Sequence, residues 1–239
     1  MDHLKTCHKM AKMAGLAYLD AEAKIGYEEL GYTHHVFIEN DGAQCHAVWN
    51  KEEFVLCFRG TEPDEFSDIK ADLNAFPDRG QSGGWVHNGF QEELNKIWDQ
   101  ILLLLEHESG KEFYITGHSL GGAMATLAAS RLKDKVDCLF TYGSPRVGTK
   151  GFVKSFNTLH YRHVNNNDIV PRLPFALLGY RHHGDLRYIN HYSNIRKMTY
   201  WQRFKDSWRG RLSALRKGQP FDGAFDHSCD LYIKKTEQK

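Results

Sequence analysis

Residues 114–123 read YITGHSLGGA: a short apolar run, a serine held between glycines, then small residues that open a helix. Ser119 sits where the strand EFYIT (112–116) turns sharply into the following helix. Gly117 and Gly121 lack the Cβ atoms that would collide in so tight a turn. Such a turn presents the serine Oγ at the carboxyl end of a strand and aims the backbone N–H of Leu120, at a helix N-terminus, toward a developing oxyanion. Ser119 is therefore the candidate nucleophile, and Leu120 the first candidate oxyanion donor.

Working outward, HVFIEN (35–40), AQCHAVWN (43–50) and EFVLCF (53–58) are β-rich runs separated by turn-prone Asp41-Gly42 and Asn50-Lys51, an antiparallel start to a sheet. The pattern then changes. Phe90, Leu94, Ile97, Ile101 and Leu104 recur at helical steps ahead of EFYIT. Beyond the Ser119 turn come a helix from about Leu120, the strand VDCLFTYG (136–143), a helix near 151–156 and the strand LHYRHV (159–164). Alternation of strand and helix implies right-handed crossovers and a mostly parallel central sheet flanked by helices, the α/β class. At 239 residues, with no repeat or linker, the chain is expected to form one domain over 1–239.

Charge is balanced, with 31 Lys and Arg against 30 Asp and Glu, which gives no general attraction for nucleic acid. The first twenty residues place Leu4, Cys7, Ala11, Ala14 and Tyr18 at helical spacing without the continuous apolar core of a signal peptide, so a packing helix and a cytoplasmic location are expected. Cys7, Cys45, Cys57, Cys138 and Cys229 are odd in number and scattered, favouring reduced thiols. The pairs His34-His35 and His182-His183 lack HExxH or cysteine partners and read as solvated or structural. P-loop lysine and GxGxxG are absent, so neither metal nor cofactor is expected.

A second oxyanion donor is needed, and FRGT (58–61) supplies it: Gly60 permits an unusual backbone angle and Thr61 offers its N–H and hydroxyl. The alternative for Thr61 is a helix cap ahead of Pro63. In this strand order the acid follows Ser119 and the base follows the acid. Asp168, just beyond LHYRHV, and Asp185 are the candidate acids. His118 is adjacent to Ser119 but points away across the turn and is read as a support; His182, His183, His191 and His227 remain as bases.

FRGT, VHNGF, YITGHSLGGAMATLAA, FTYGSPRVG, HVNNNDIVPRLP, GYRHHGD and DHSCDLYI together resemble the class 3, fungal-type lipases. The resemblance runs from about Phe54 to Ile233. It implies an α/β-hydrolase fold and an esterase or lipase activity without a metal. Matched residue by residue, it places Ser119 as nucleophile, Asp168 as acid, His227 as base, and Thr61 with Leu120 as the oxyanion pair. It makes acylglycerols the expected substrate, with a phospholipase A1 or short-chain esterase as the alternative and an idle membrane-binding protein as a rival of another class. The substrate partner is thus a lipid or small ester, with peripheral contact to a lipid interface, and oligomeric state is left open.

Two segments bear on the substrate. Residues 62–85 occupy the place of the family's lid, but the stretch is polar and carries Phe66 where the family usually has tryptophan. In YWQRFKDSWRGRLSALRK, over about 200–216, Trp201, Phe204, Trp208, Leu212 and Leu215 form one stripe, with Lys205, Arg209 and Arg216 along one edge and Arg211 on the other. The preferred reading is that this stripe packs on the domain while the arginines snorkel outward. The alternative is a helix lying in an anionic membrane surface.

Overall fold

The computed structural model describes residues 3–60, 77–216, 223 and 225–237. Helix α1 (His3–Leu16) and α2 (Ala23–Glu29) precede three antiparallel strands, β1 (His34–Asn40), β2 (Ala43–Trp49) and β3 (Glu53–Phe58). Strands β4 (Pro77–Arg79) and β5 (Trp85–His87) lead into α3 (Asn88–Leu104), β6 (Glu112–His118), α4 (Leu120–Leu132) and β7 (Cys138–Tyr142). Then follow β8 (Gly148–Thr149), α5 (Lys150–Val153), β9 (Leu159–Asn165), β10 (Tyr180–Arg181), β11 (Asp185–Ile189) and β12 (Ile195–Arg196). Helices α6 (Tyr200–Arg216) and α7 (Cys229–Thr236) complete the described order.

One sheet runs β1-β2-β3-β6-β7-β9-β11-β12. Its centre is parallel, β3 on β6, β6 on β7, β7 on β9 and β9 on β11, with antiparallel strands at both edges. The parallel strands are buried on both faces, which is why they read as near-continuous apolar runs. Alternation divides them: Phe54, Leu56, Phe58, Phe113 and Ile115 pack under α3 and α4, while Val55, Cys57 and Tyr114 face α1 and α7. Met10 and Met13 of α1 are fully buried on that second face, as the packing-helix reading expected.

A second, antiparallel sheet in the order β10-β8-β5-β4 went unforeseen. It takes up residues 77–79 and Trp85 of the expected lid segment, joined by a turn; residues 62–76, with Phe66, lie outside the described residues. Helix α6 corrects a preference. Trp201 is 68% exposed, Leu215 65% and Phe204, Trp208 and Leu212 nearly half, so the stripe faces solvent rather than the domain. The inward face is polar instead, because buried Asp206 and its partners hold it. Among the described residues, no helix is long and apolar enough to cross a membrane.

Candidate active site

Strand β6 delivers Ser119 to the carboxyl edge of the sheet, and α4 begins at the next residue. Ser119 takes φ 55°, ψ −127°, a region a side chain rarely adopts, and the surrounding glycines make that possible. A Cβ on Gly117 would stand 2.3 Å from Gly121 O, and one on Gly121 would stand 2.2 Å from Phe58 O. The end of β3 is therefore pressed directly against the turn. Ser119 N–H donates to Tyr142 O at the end of β7 (3.0 Å), which fixes the elbow from the other side.

His227 Nε2 lies 2.8 Å from Ser119 Oγ. Its Nδ1 lies 3.0 Å from Asp168 Oδ2 and 3.1 Å from Oδ1. All three residues are buried, with Ser119 and Asp168 each 1% exposed. Asp168 accepts only and the serine hydroxyl donates, so the imidazole tautomer that satisfies both carries its proton on Nδ1 and accepts at Nε2. Asp168 is held by two further donors, Val170 N–H to Oδ1 (2.9 Å) and Tyr232 O–H to Oδ2 (2.5 Å). Tyr232 Oη in turn accepts the Asn165 N–H at 2.9 Å. Burial and the Asp168 charge push the Tyr232 phenol well above its usual range, so it remains a donor.

His118 supports this arrangement from behind, as its place in the turn suggested. Its Nε2–H donates to His227 O (2.7 Å), so Nδ1 accepts from Tyr18 O–H (2.8 Å). Burial first, and then the neighbouring His227, hold its pKa well below the ordinary histidine value. The other candidates stay apart. Asp185 is exposed at the amino end of β11 beside Tyr161, whereas Asp168 follows the carboxyl end of the neighbouring strand β9. His182 Nε2 is taken by Pro171 O (2.7 Å), His183 stacks on Phe156, and the His191 N–H is bound to Asp206. His34 stacks on Trp49 and His35 meets His46, structural uses of that pair.

Leu120 stands in the first turn of α4, where backbone N–H groups have no partner within the helix. Thr61 lies outside the described residues; Gly60, just before it, is packed so closely that a Cβ would be 2.6 Å from His118 O. Sequence reasoning missed Tyr232, Asn165 and Gly143. Gly143 has φ 61°, and a Cβ there would come within 2.8 Å of the His227 ring. Its signal was visible in FTYGSP, where a glycine ends a strand.

Residues 55–178 match the family described as Lipase (class 3), half of the chain. The chain belongs to the class 3 lipase family. Among similar proteins, Toxin TseL of Vibrio cholerae is 34% identical over 65% of this chain and 32% of its own length. Secreted mono- and diacylglycerol lipase 1 of Fusarium solani is 42% identical over 42% of this chain and 33% of its own. The chain thus spans about a third of the length of these relatives. The Rhizomucor miehei lipase in complex with its propeptide superposes with a TM-score of 0.67 at 23% identity, covering 80% of this chain and 68% of that one. A triacylglycerol lipase whose catalytic centre is described as a serine protease triad gives 0.67 at 22%, covering 93% and 91%. The fold is that of the α/β-hydrolases, as expected.

One expectation is overturned. Relatives of this chain from Fusarium solani and Malassezia restricta are named as secreted, which speaks against the expected cytoplasmic location. The scattered cysteines argued for reduction on composition alone, but Cys7, Cys45, Cys57 and Cys138 are buried, and a buried thiol needs no reducing compartment. Burial, the main cause, pushes Cys57 up to about 12, which leaves it protonated and inert.

Proposed function

We propose that this chain is a serine carboxylic ester hydrolase that cleaves acylglycerols through an acyl-enzyme on Ser119. The observation that carries the reading is the continuous set of contacts from Asp168 through His227 to Ser119 Oγ. His227 Nε2 takes the hydroxyl proton as Oγ attacks the ester carbonyl, and Asp168 stabilises the imidazolium. The Leu120 N–H, with Thr61, receives the oxyanion. Collapse of the tetrahedral intermediate breaks the ester C–O bond, and the alcohol leaves with the proton from His227. Water then attacks the acyl carbon and gives one proton to His227; the second tetrahedral intermediate collapses, the acyl C–Oγ bond breaks, His227 returns the proton to Ser119 Oγ, and the carboxylic acid departs. Relatives named as mono- and diacylglycerol lipases support the substrate class. A phospholipid is the second reading, favoured by the basic residues of α6.

The test is hydrolysis of p-nitrophenyl esters from acetyl to palmitoyl, below and above aggregation. Ser119→Ala and His227→Ala are expected to lower turnover by about four to six orders of magnitude, and Asp168→Asn by about 10⁴. Asp185→Ala retains most activity. Equal loss in Asp185→Ala and Asp168→Ala would remove the acid assignment. Absence of turnover, together with no labelling of Ser119 by a fluorophosphonate, would remove the whole reading.

A further inference from the structure

Helix α6 is amphipathic in the inverted sense. Its inward face is polar: Asp206, 1% exposed, accepts from the His191 N–H (2.9 Å), Tyr188 O–H (3.1 Å) and Asn166 Nδ2 (3.2 Å). Beside it, Ser207 O–H donates to Asn167 Oδ1 (2.5 Å), and one turn on a Cβ at Gly210 would stand 2.8 Å from Asn167 Nδ2. These contacts tie the helix to Asn166 and Asn167, the two residues before Asp168. They also oblige Trp201, Phe204, Trp208, Leu212 and Leu215 to face outward. The aromatic rings brace one another edge on, Trp201 to Phe204 at 6.0 Å and Phe204 to Trp208 at 6.3 Å. Leaving so much apolar surface in water forfeits on the order of 25 cal/mol for every Å² exposed, and contiguous patches of this kind mark binding faces.

Charge identifies the occupant. Residues 195–216 carry seven Lys and Arg against the single acid Asp206, within a chain whose net charge is +1. Lys205, Arg209 and Arg216 are exposed beside the aromatic stripe. A hollow of about 310 Å³ next to the helix is lined by Arg196, Lys197 and Arg209, with Tyr192, Met198 and the hydrogen-bonded carboxylate of Asp206 also on its wall. Exposed Phe175, Leu177 and Leu178 follow Asp168 in the chain, and Arg146 Nη1 donates to Pro174 O (2.9 Å) just before them. A protein partner would bury a core depleted in lysine, and a second copy of this chain would bring seven positive charges against seven.

We propose that α6 docks the protein on an anionic phospholipid surface. Trp201, Phe204 and Trp208 enter the boundary between headgroups and acyl chains, Lys205, Arg209 and Arg216 meet the phosphates, and the hollow at Arg196 and Lys197 receives a headgroup. The inference names the surface by which the Ser119 site reaches its substrate, and so rests on the function proposed above.

Sedimentation of the full chain with diether phosphatidylcholine vesicles, alone or with about a third diether phosphatidylglycerol, tests it. Ether lipids cannot be hydrolysed, so docking and ester chemistry fail separately. Binding is expected only to the anionic vesicles and should weaken at high salt. Lys205→Gln with Arg209→Gln should weaken it about 25-fold, five-fold for each charge removed. Trp201→Ser with Trp208→Ser should abolish it, and both pairs should leave turnover of a soluble short-chain ester unchanged. No sedimentation of the wild type, or sedimentation that neither pair alters, would overturn the proposal. So would a dimer that the tryptophan pair dissolves, since the face would then be an interface between copies. Docking without ester turnover would instead leave α6 its role and remove the esterase.

Discussion

The site is organised around a carboxylate that makes more hydrogen bonds than a triad requires. Asp168 accepts from His227, from the Val170 N–H and from Tyr232, and Tyr232 is itself oriented by the Asn165 N–H. Tyr232 touches neither Ser119 nor any reacting atom; it acts through Asp168 as a positioning residue. A hydrogen bond to a charged acceptor is worth about 1.5–3 kcal/mol, and in the mechanism proposed above it steadies the group that stabilises the imidazolium. Tyr232→Phe is therefore expected to lower kcat by about ten-fold with KM unchanged. Labelling of Ser119 by a fluorophosphonate should slow in step with kcat while the fold is kept. An unchanged labelling rate would show that Val170 and His227 suffice to place Asp168. Ser119 stood out in the sequence through its strand–turn–helix run, whereas Asp168 and His227 were set apart from Asp185, His182, His183 and His191 only by the resemblance to class 3 lipases; the fold brings Ser119, Asp168 and His227 together. Tyr232 was not legible, since a tyrosine in DLYI reads equally well as a packing residue, and only the closed fold brings it 2.5 Å from Asp168.

At the scale of elements, the strand–turn–helix unit around Ser119 depends on close backbone approach. Gly121 is the sharpest instance, because the atoms that a Cβ would meet belong to the backbone of Phe58 and Arg59, which cannot swing aside. Gly121→Ala is expected to force β3 away from α4 and to destabilise by about 3 kcal/mol or more, beyond the range of ordinary core overpacking. Denaturant unfolding measures this, and a loss under about 1 kcal/mol would mean that the elbow relaxes without moving β3. The central strands and α3 were legible because their burial imposes period or continuity on the sequence. The small sheet was not, since β8 and β10 have two residues each, too few to show a pattern. Helix α6 shows a different limit. Its amphipathicity was plain, but periodicity states only that two faces differ. Which one turns inward was decided by Asp206 and its partners from β11 and the loops after β9 and β11.

At the scale of the molecule, the interior holds an unusual load of neutral histidine. Among the described residues, burial is the main cause that lowers the pKa of His118, His160 and His182 well below the ordinary value, and of His46 to about 4. In the unfolded chain each titrates near 6.5. A histidine whose folded pKa is depressed binds fewer protons folded than unfolded once the pH drops below about 6.5. The stability it permits is thus complete near pH 7 and is lost as the pH falls toward the folded pKa. Asp226, its carboxyl pushed up by burial, works in the opposite sense, but it is one group against four. The folded protein is therefore expected to lose stability steeply between pH 6.5 and 4.5, by up to about 1.4 kcal/mol per pH unit for each such histidine. His46 isolates the effect from the active site: it is fully buried on β2, with Phe37 stacked at 4.8 Å and His35 Nε2 at 2.9 Å from its Nδ1. Replacing it with phenylalanine keeps a ring in that place and removes the group that must take up a proton on unfolding. His46→Phe should match the wild type to within about 1 kcal/mol at pH 7 and gain on it progressively below pH 6.5, approaching a relative advantage of about 3 kcal/mol near pH 4. Urea unfolding of both proteins across this range reads the difference directly. Parallel profiles would show that His46 takes up its proton as readily in the fold as in the unfolded chain.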